Sequence, residues 1–159
     1  MVEKVFILGS TGSIGINTLN VIRRFPKLFK VVGLSAYNNI EVLERQIREF
    51  KPSFAAVGDA GIKSLKKIPS STKIYSVDQD LEFLVSLKNV DSVVLAMKGF
   101  IALKPFLAAI KAGKKVATAN KEALVAAGDL IMKEVQRSKG CVIPIDSEQS
   151  AIFQCLDGK

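Results

Sequence analysis

The sequence contains no histidine. The side chain used most often as general base and as zinc ligand is therefore missing, and any chemistry must run on Lys, Asp, Glu, hydroxyls or a bound cofactor. Tryptophan is absent too, and there are only two tyrosines. A net charge of +8 invites a nucleic-acid reading, but no stacking aromatics are interleaved with the basic residues, so that reading finds no support. Lysines such as Lys63, Lys66, Lys67, Lys111 and Lys115 fall beside expected turns and read as a solvated basic surface. Cysteine is scarce: Cys141 and Cys155 lack CxxC spacing and are expected to be buried free thiols of a reducing compartment. No apolar run is long enough to span a membrane. The opening MVEKVFILGS leads into strand-like sequence without the parts of a signal peptide, so a cytoplasmic protein with no membrane partner is expected.

What is present is a regular alternation. With 159 residues, 48% of them hydrophobic, the chain suffices for one domain with a sizeable core and is too short for two ordinary ones. Short apolar runs at 5–8, 30–35, 54–57, 73–76, 92–97, 114–119 and 141–145 predict strands. Between them, helical spacing predicts helices from Ser13 to Phe25, from Ile40 to Phe50, around Leu81–Val85, from Pro105 to Ala112 and from Glu122 to Arg137. A short helix is expected near Ala60 to Lys67. The strand runs are continuous rather than alternating, as in strands buried on both faces. The expected fold class is α/β, a doubly wound parallel sheet covered by helices.

The first strand empties into ILGSTGSIG, with glycines at 9, 12 and 15. This is one residue wider in its first gap than the dinucleotide fingerprint G-x-G-x-x-G, and it meets the same need for a tight turn and close approach of backbone to a pyrophosphate. Helix N-terminal amides and the hydroxyls of Ser10, Thr11 and Ser13 suit a phosphate. The position between a strand and a helix is the context that gives such a motif meaning, and it points to a Rossmann-like nucleotide site. The second strand ends in GLSAYNN, with no Asp or Glu to hold both ribose hydroxyls, which points to NADP rather than NAD. No Arg stands there either, leaving Ser35, Asn38, Asn39 and backbone amides for a 2′-phosphate.

Three further stretches fall beyond the carboxyl ends of strands, where ligands collect in such sheets: MKGF (97–100), ANKE (119–122) and DSEQS (146–150). Asn120 reads as a helix N-cap with Glu122 in the first turn, or as part of a site with Lys121. Asp146 or Ser147 reads as the cap of a helix whose apolar face is Ala151, Ile152 and Leu156. Alternatively, Asp146 and Glu148 supply oxygen ligands to Mg²⁺ or Mn²⁺.

Taken together and in this order, GSTGSIG, ANKE and IDSEQSAIFQ resemble the 1-deoxy-D-xylulose 5-phosphate reductoisomerases of the non-mevalonate isoprenoid pathway, over essentially the whole chain. The resemblance implies NADPH- and divalent-metal-dependent conversion of 1-deoxy-D-xylulose 5-phosphate to 2-C-methyl-D-erythritol 4-phosphate by a homodimer. It places a cofactor domain at 1–145 and the start of a catalytic domain at 146–159, with the third metal ligand and the substrate-phosphate residues beyond Lys159. It assigns Thr11, Gly12, Ser13, Ile14, Asn39, Asn120 and Glu122 to the cofactor, and Lys121, Ser147 and Glu148 to the phosphorylated sugar. Lys121 and Glu148 are also its catalytic residues, and Asp146 and Glu148 its metal ligands. Tyr37-Asn38 departs from the family pattern, which carries a basic residue there, and Gln149 stands where many members have His. Another NADP-dependent dehydrogenase would share the loop and sheet without needing ANKE and DSE together. A non-catalytic nucleotide-sensing module is the alternative outside the enzymes.

Overall fold

Val5, Phe6, Ile7 and Leu8 are each at most 4% exposed, so the first strand is buried on both faces and sits in the middle of the sheet. The computed structural model describes residues 1–156. The strands are β1 (Glu3–Leu8), β2 (Phe29–Ala36), β3 (Phe54–Val57), β4 (Lys73–Ser76), β5 (Ser92–Leu95), β6 (Lys115–Thr118) and β7 (Cys141–Pro144). The helices are α1 (Ser13–Arg24), α2 (Ile40–Phe50), α3 (Val77–Val85), α4 (Leu103–Lys111), α5 (Lys121–Arg137) and α6 (Ser147–Leu156). All seven strands pair in parallel, in the order β4-β3-β2-β1-β5-β6-β7.

This is the doubly wound, Rossmann-like α/β fold, and the direction of winding reverses between β1 and β5. One face packs Val5, Ile7, Val31 and Ala55 against Leu19 and Ile22 of α1 and Leu43 and Ile47 of α2. The other packs Phe6, Leu8, Val93 and Val116 against Leu84 of α3, Phe106 and Ile110 of α4 and Ile131 of α5. Ring edges of Phe54 meet Phe6 at 5.0 Å on that second face.

Helix ends follow local chemistry. Asn39 caps α2 by accepting from Val42 N, and Lys51 ends it in the left-handed region (φ 46°) just before Pro52. α4 begins at Leu103, ahead of the expected Pro105, because a proline within the first turn gives up an amide that has no partner inside the helix anyway. Residues 60–67 do not form the expected helix. Asp59–Ser64 is a 3₁₀ turn with no buried residue, so no apolar face holds a longer one. α5 is interrupted at Ala127 (φ −135°), one residue before Gly128.

The two cysteines correct an expectation: both are free thiols, but both are exposed. Cys141 opens the edge strand β7, and α6, which carries Cys155, buries none of its residues among those described. Ile152, Phe153 and Leu156 of α6 are likewise exposed. Among the described residues no helix is long and apolar enough to cross a membrane.

Candidate functional site

Beyond the carboxyl edge of the sheet, the glycine loop is shaped by two contacts. Gly9 adopts φ 81°, and a Cβ on it would lie 2.9 Å from the carbonyl oxygen of Ala96, where β5 leaves the sheet. A Cβ on Gly15 would lie 2.5 Å from Gly9 O, so α1 packs directly on the turn. Gly12 is the N-cap of α1 and offers no side chain to it, and no acidic residue stands in the first turn. The leading amides of α1 are thus left for a ligand, and their partial positive charge is unopposed.

The base of the loop is held by groups expected to touch phosphate. Ser10 is fully buried, and its hydroxyl donates to Gln46 Oε1 at 2.7 Å while Gln46 Nε2 returns a bond to Ser10 O at 2.9 Å. Ser35 is 1% exposed; its hydroxyl accepts from Gly9 N and its carbonyl from Ser10 N. Both serines therefore fasten the loop to β2 and α2 rather than facing a phosphate. Gln46 was not singled out from sequence, although a glutamine on the buried stripe of α2 beside Leu43 and Ile47 is the available signal.

Cavities open on both sides of this loop. One of about 300 Å³ is lined by Gly9, Ala36, Tyr37, Val77, Met97 and Ile101, a mostly apolar set. The other, about 490 Å³, lies between Gly12, Ser13 and Ile14 on one wall and Met97, Asn120, Lys121 and Glu122 on the other. A third, about 450 Å³ and polar, is bounded by Tyr37, Asn38, Gly58, Asp59 and Asp78. Asn39 is exposed at the start of α2, and Thr11 is half-buried at the loop's turn.

Asn120 is the N-cap expected of it, and more. Its Oδ1 accepts from Ala123 N at 2.7 Å, while Nδ2 donates to the carbonyls of Met97 and Gly99, each at 3.0 Å. Buried at 2% exposure, it ties the start of α5 to the turn after β5. Glu122 stands exposed in the first helical turn.

The structure brings Lys121, Asp146, Ser147 and Glu148 together. Lys121 Nζ lies 3.0 Å from Glu148 Oε2 and 3.8 Å from Asp146 Oδ1. Ser147 Oγ donates to the same Glu148 oxygen at 2.9 Å. The Lys121 ammonium, then the backbone amide and Ser147, hold the Glu148 carboxyl down to about 2, and Glu148 in turn raises Lys121. Asp146 Oδ1 caps α6 by accepting from Gln149 N at 3.0 Å, so the capping reading of this stretch is correct. Its Oδ2 is buried with no hydrogen-bond partner among the described residues. A buried carboxylate oxygen without a donor carries a desolvation cost that a cation would offset. The Lys121 ammonium stands where such a cation would be drawn by both carboxylates. Among the described residues, no three His, Cys, Asp or Glu side chains converge on one point.

A doubly wound sheet with uncapped helix amides at its winding reversal defines a dinucleotide-binding class of α/β protein. The sequence matches the family profile of 1-deoxy-D-xylulose 5-phosphate reductoisomerase over residues 5–128, and the chain belongs to that family. It is 45% identical over 157 residues to the 1-deoxy-D-xylulose 5-phosphate reductoisomerase of Thermodesulfovibrio yellowstonii, covering 98% of this chain and 41% of the relative. The chain thus spans about two fifths of the length of the curated relatives it matches. Among solved structures it superposes with a TM-score of 0.93 and 36% identity on a DOX-P reductoisomerase in complex with NADPH, fosmidomycin and magnesium, covering 99% of this chain and 40% of that one. The Zymomonas mobilis reductoisomerase in complex with NADPH gives a TM-score of 0.91 at 34% identity, covering 99% and 42%.

Proposed function

We propose that this chain is the NADPH-binding portion of a reductoisomerase that converts 1-deoxy-D-xylulose 5-phosphate to 2-C-methyl-D-erythritol 4-phosphate. The observation that carries the reading is the meeting, at one sheet edge, of the uncapped α1 amides with the Lys121–Asp146–Glu148 cluster. A plain dehydrogenase or a nucleotide sensor needs the first and has no use for the second. When bound, the dinucleotide supplies hydride and a divalent cation, Mg²⁺ or Mn²⁺, supplies Lewis-acid polarisation of the sugar's vicinal oxygens.

The chain's own residues divide the work. The backbone at Thr11, Gly12, Ser13 and Ile14 takes the pyrophosphate, and Asn39 lies toward the 2′-phosphate end. Glu122 borders the cofactor. The amide of Asn120 is occupied by Met97, Gly99 and Ala123, so its part falls to its main chain and to its hold on the turn after β5. Lys121 supplies positive charge beside the developing oxyanion of the phosphorylated sugar, with Ser147 and Glu148 alongside. Asp146 and Glu148 hold the cation. We assign residues 1–145 to the cofactor domain and 146–159 to the start of a catalytic domain, in a cytoplasmic homodimer.

The test has two arms. Calorimetric titration of this chain should show NADPH binding that Gly12→Val removes. In the whole protein, NADPH absorbance should fall on addition of 1-deoxy-D-xylulose 5-phosphate with Mg²⁺ or Mn²⁺, and Asp146→Asn should lose activity that excess Mn²⁺ partly restores. Activity that is indifferent to the cation would refute the assignment of Asp146 and Glu148.

A further inference from the structure

The turn after β5 is built with unusual care for a connection with no assigned role. Asn120 Nδ2 donates to the carbonyls of Met97 and Gly99, so the two neighbours of Lys98 are held by one buried side chain. Gly99 then turns the chain at φ 74°. On the other side, Ala96 lies against Gly9, and its amide donates to Leu8 O at 2.9 Å. The backbone at Lys98 is therefore fixed against the glycine loop at the winding reversal between β1 and β5.

Lys98 lines the apolar cavity on one side of the glycine loop and also the larger one on the other side. Among the described residues, the only other Lys or Arg lining either cavity is Lys121, which is already paired with Glu148 and Asp146. Lys98 is exposed and has no ion-pair partner among the described residues. A dinucleotide spanning the two cavities carries its pyrophosphate across their boundary. The glycine loop meets those charges with neutral donors only, and a long lysine stem lets the ammonium reach a phosphate while its methylenes cover apolar surface.

Resting on the cofactor reading above, we propose that Lys98 is the counter-cation of the cofactor's pyrophosphate, facing the glycine loop from the opposite wall. It recognises the bridging phosphates common to NADPH and NADH and does not select between the two.

Titration of wild type, Lys98→Met and Lys98→Arg with NADPH and with NADH tests this. For Lys98→Met we expect both affinities to fall by on the order of fivefold, the scale of one charge-assisted contact near a surface. Lys98→Arg should restore most of the loss, and thermal melting of the unliganded variants should match wild type. A loss confined to NADPH would overturn the proposal and move Lys98 to the 2′-phosphate. Unchanged affinities in Lys98→Met would make it a solvated lysine. A wild type that binds neither dinucleotide would overturn the cofactor reading and this assignment with it.

Discussion

The ammonium of Lys121 lies 3.0 Å from Oε2 of Glu148 and 3.8 Å from Oδ1 of Asp146. A divalent cation entering there competes with a charge the protein already holds. With two carboxylates and no third ligand among the described residues, Mn²⁺ should bind this chain no more tightly than about millimolar. Removing the competitor in Lys121→Met should tighten Mn²⁺ binding by roughly three- to tenfold, and Asp146→Asn should weaken it. Electron paramagnetic resonance of free Mn²⁺ reads both. Unchanged affinity in Lys121→Met would mean that the ammonium leaves the carboxylates open.

On the reading proposed above, cofactor choice turns on the polar cavity beside Tyr37. Its walls carry Asn38 but no basic residue among those described, and they include Asp59 and Asp78. Asp78 accepts from Asp59 N, and its negative charge raises the pKa of the Tyr37 phenol. NADPH should bind more tightly than NADH, but by less than about tenfold, because no cation meets the 2′-phosphate. Asp78→Asn keeps the shape and removes a negative charge, so it should improve NADPH binding and leave NADH nearly unchanged. Calorimetry with both nucleotides decides; preference for NADH in the wild type would remove the inference from Ser35 to Asn39.

The order of elements was legible because each strand is a continuous apolar run and each helix a spaced one. Val5–Leu8 and the Ile40, Leu43, Ile47, Phe50 stripe fall where their patterns put them. The glycine loop was legible as a tight turn from strand into helix, but not which of its hydroxyls face inward. Ser10 and Ser35 look like Thr11 and Ser13 in sequence, and only the partner Gln46, 36 residues on, reveals that Ser10 is buried. Asp146 and Glu148 read as one pair of oxygen ligands, and only the family resemblance joined Lys121 to them; their contact depends on β6 and β7 being neighbours, which spacing alone does not give. Exposure of Cys141 and Cys155 was missed because apolar neighbours imply burial only where another layer covers them.

The glycines of the loop should separate by role. Gly12 has φ −82°, which any residue adopts, and a Cβ there would meet nothing closer than Gly9 O at 3.5 Å. Gly12→Val should therefore keep the melting temperature and lose NADPH through the ligand's approach to backbone, not through a forced conformation. Gly15→Ala should instead cost about 1–3 kcal/mol of stability, since its Cβ would sit 2.5 Å from the backbone of Gly9 and Ser10. Circular dichroism melts paired with nucleotide titration distinguish the two; a destabilised Gly12→Val would place it with Gly15.

Lys114, only 8% exposed, lies at the opposite edge of the sheet from the site, and its Nζ donates to Leu87 O and Val90 O, each at 2.7 Å. Burial lowers its pKa, with Asp91 drawing it partly back. A lysine whose pKa falls on folding holds fewer protons folded than unfolded between the lowered value and 10.5, so the folded state gains stability as pH rises through that window. The neutral amine still donates to both carbonyls. Lys114→Met leaves them without that donor and should cost about 1–3 kcal/mol. Because only the wild type gains from losing the buried charge, the gap between the two should widen from neutrality toward pH 10.5. Urea denaturation at both ends of that range measures it. A gap that narrows as pH rises would show that the charge on Lys114 stabilises the fold rather than burdening it.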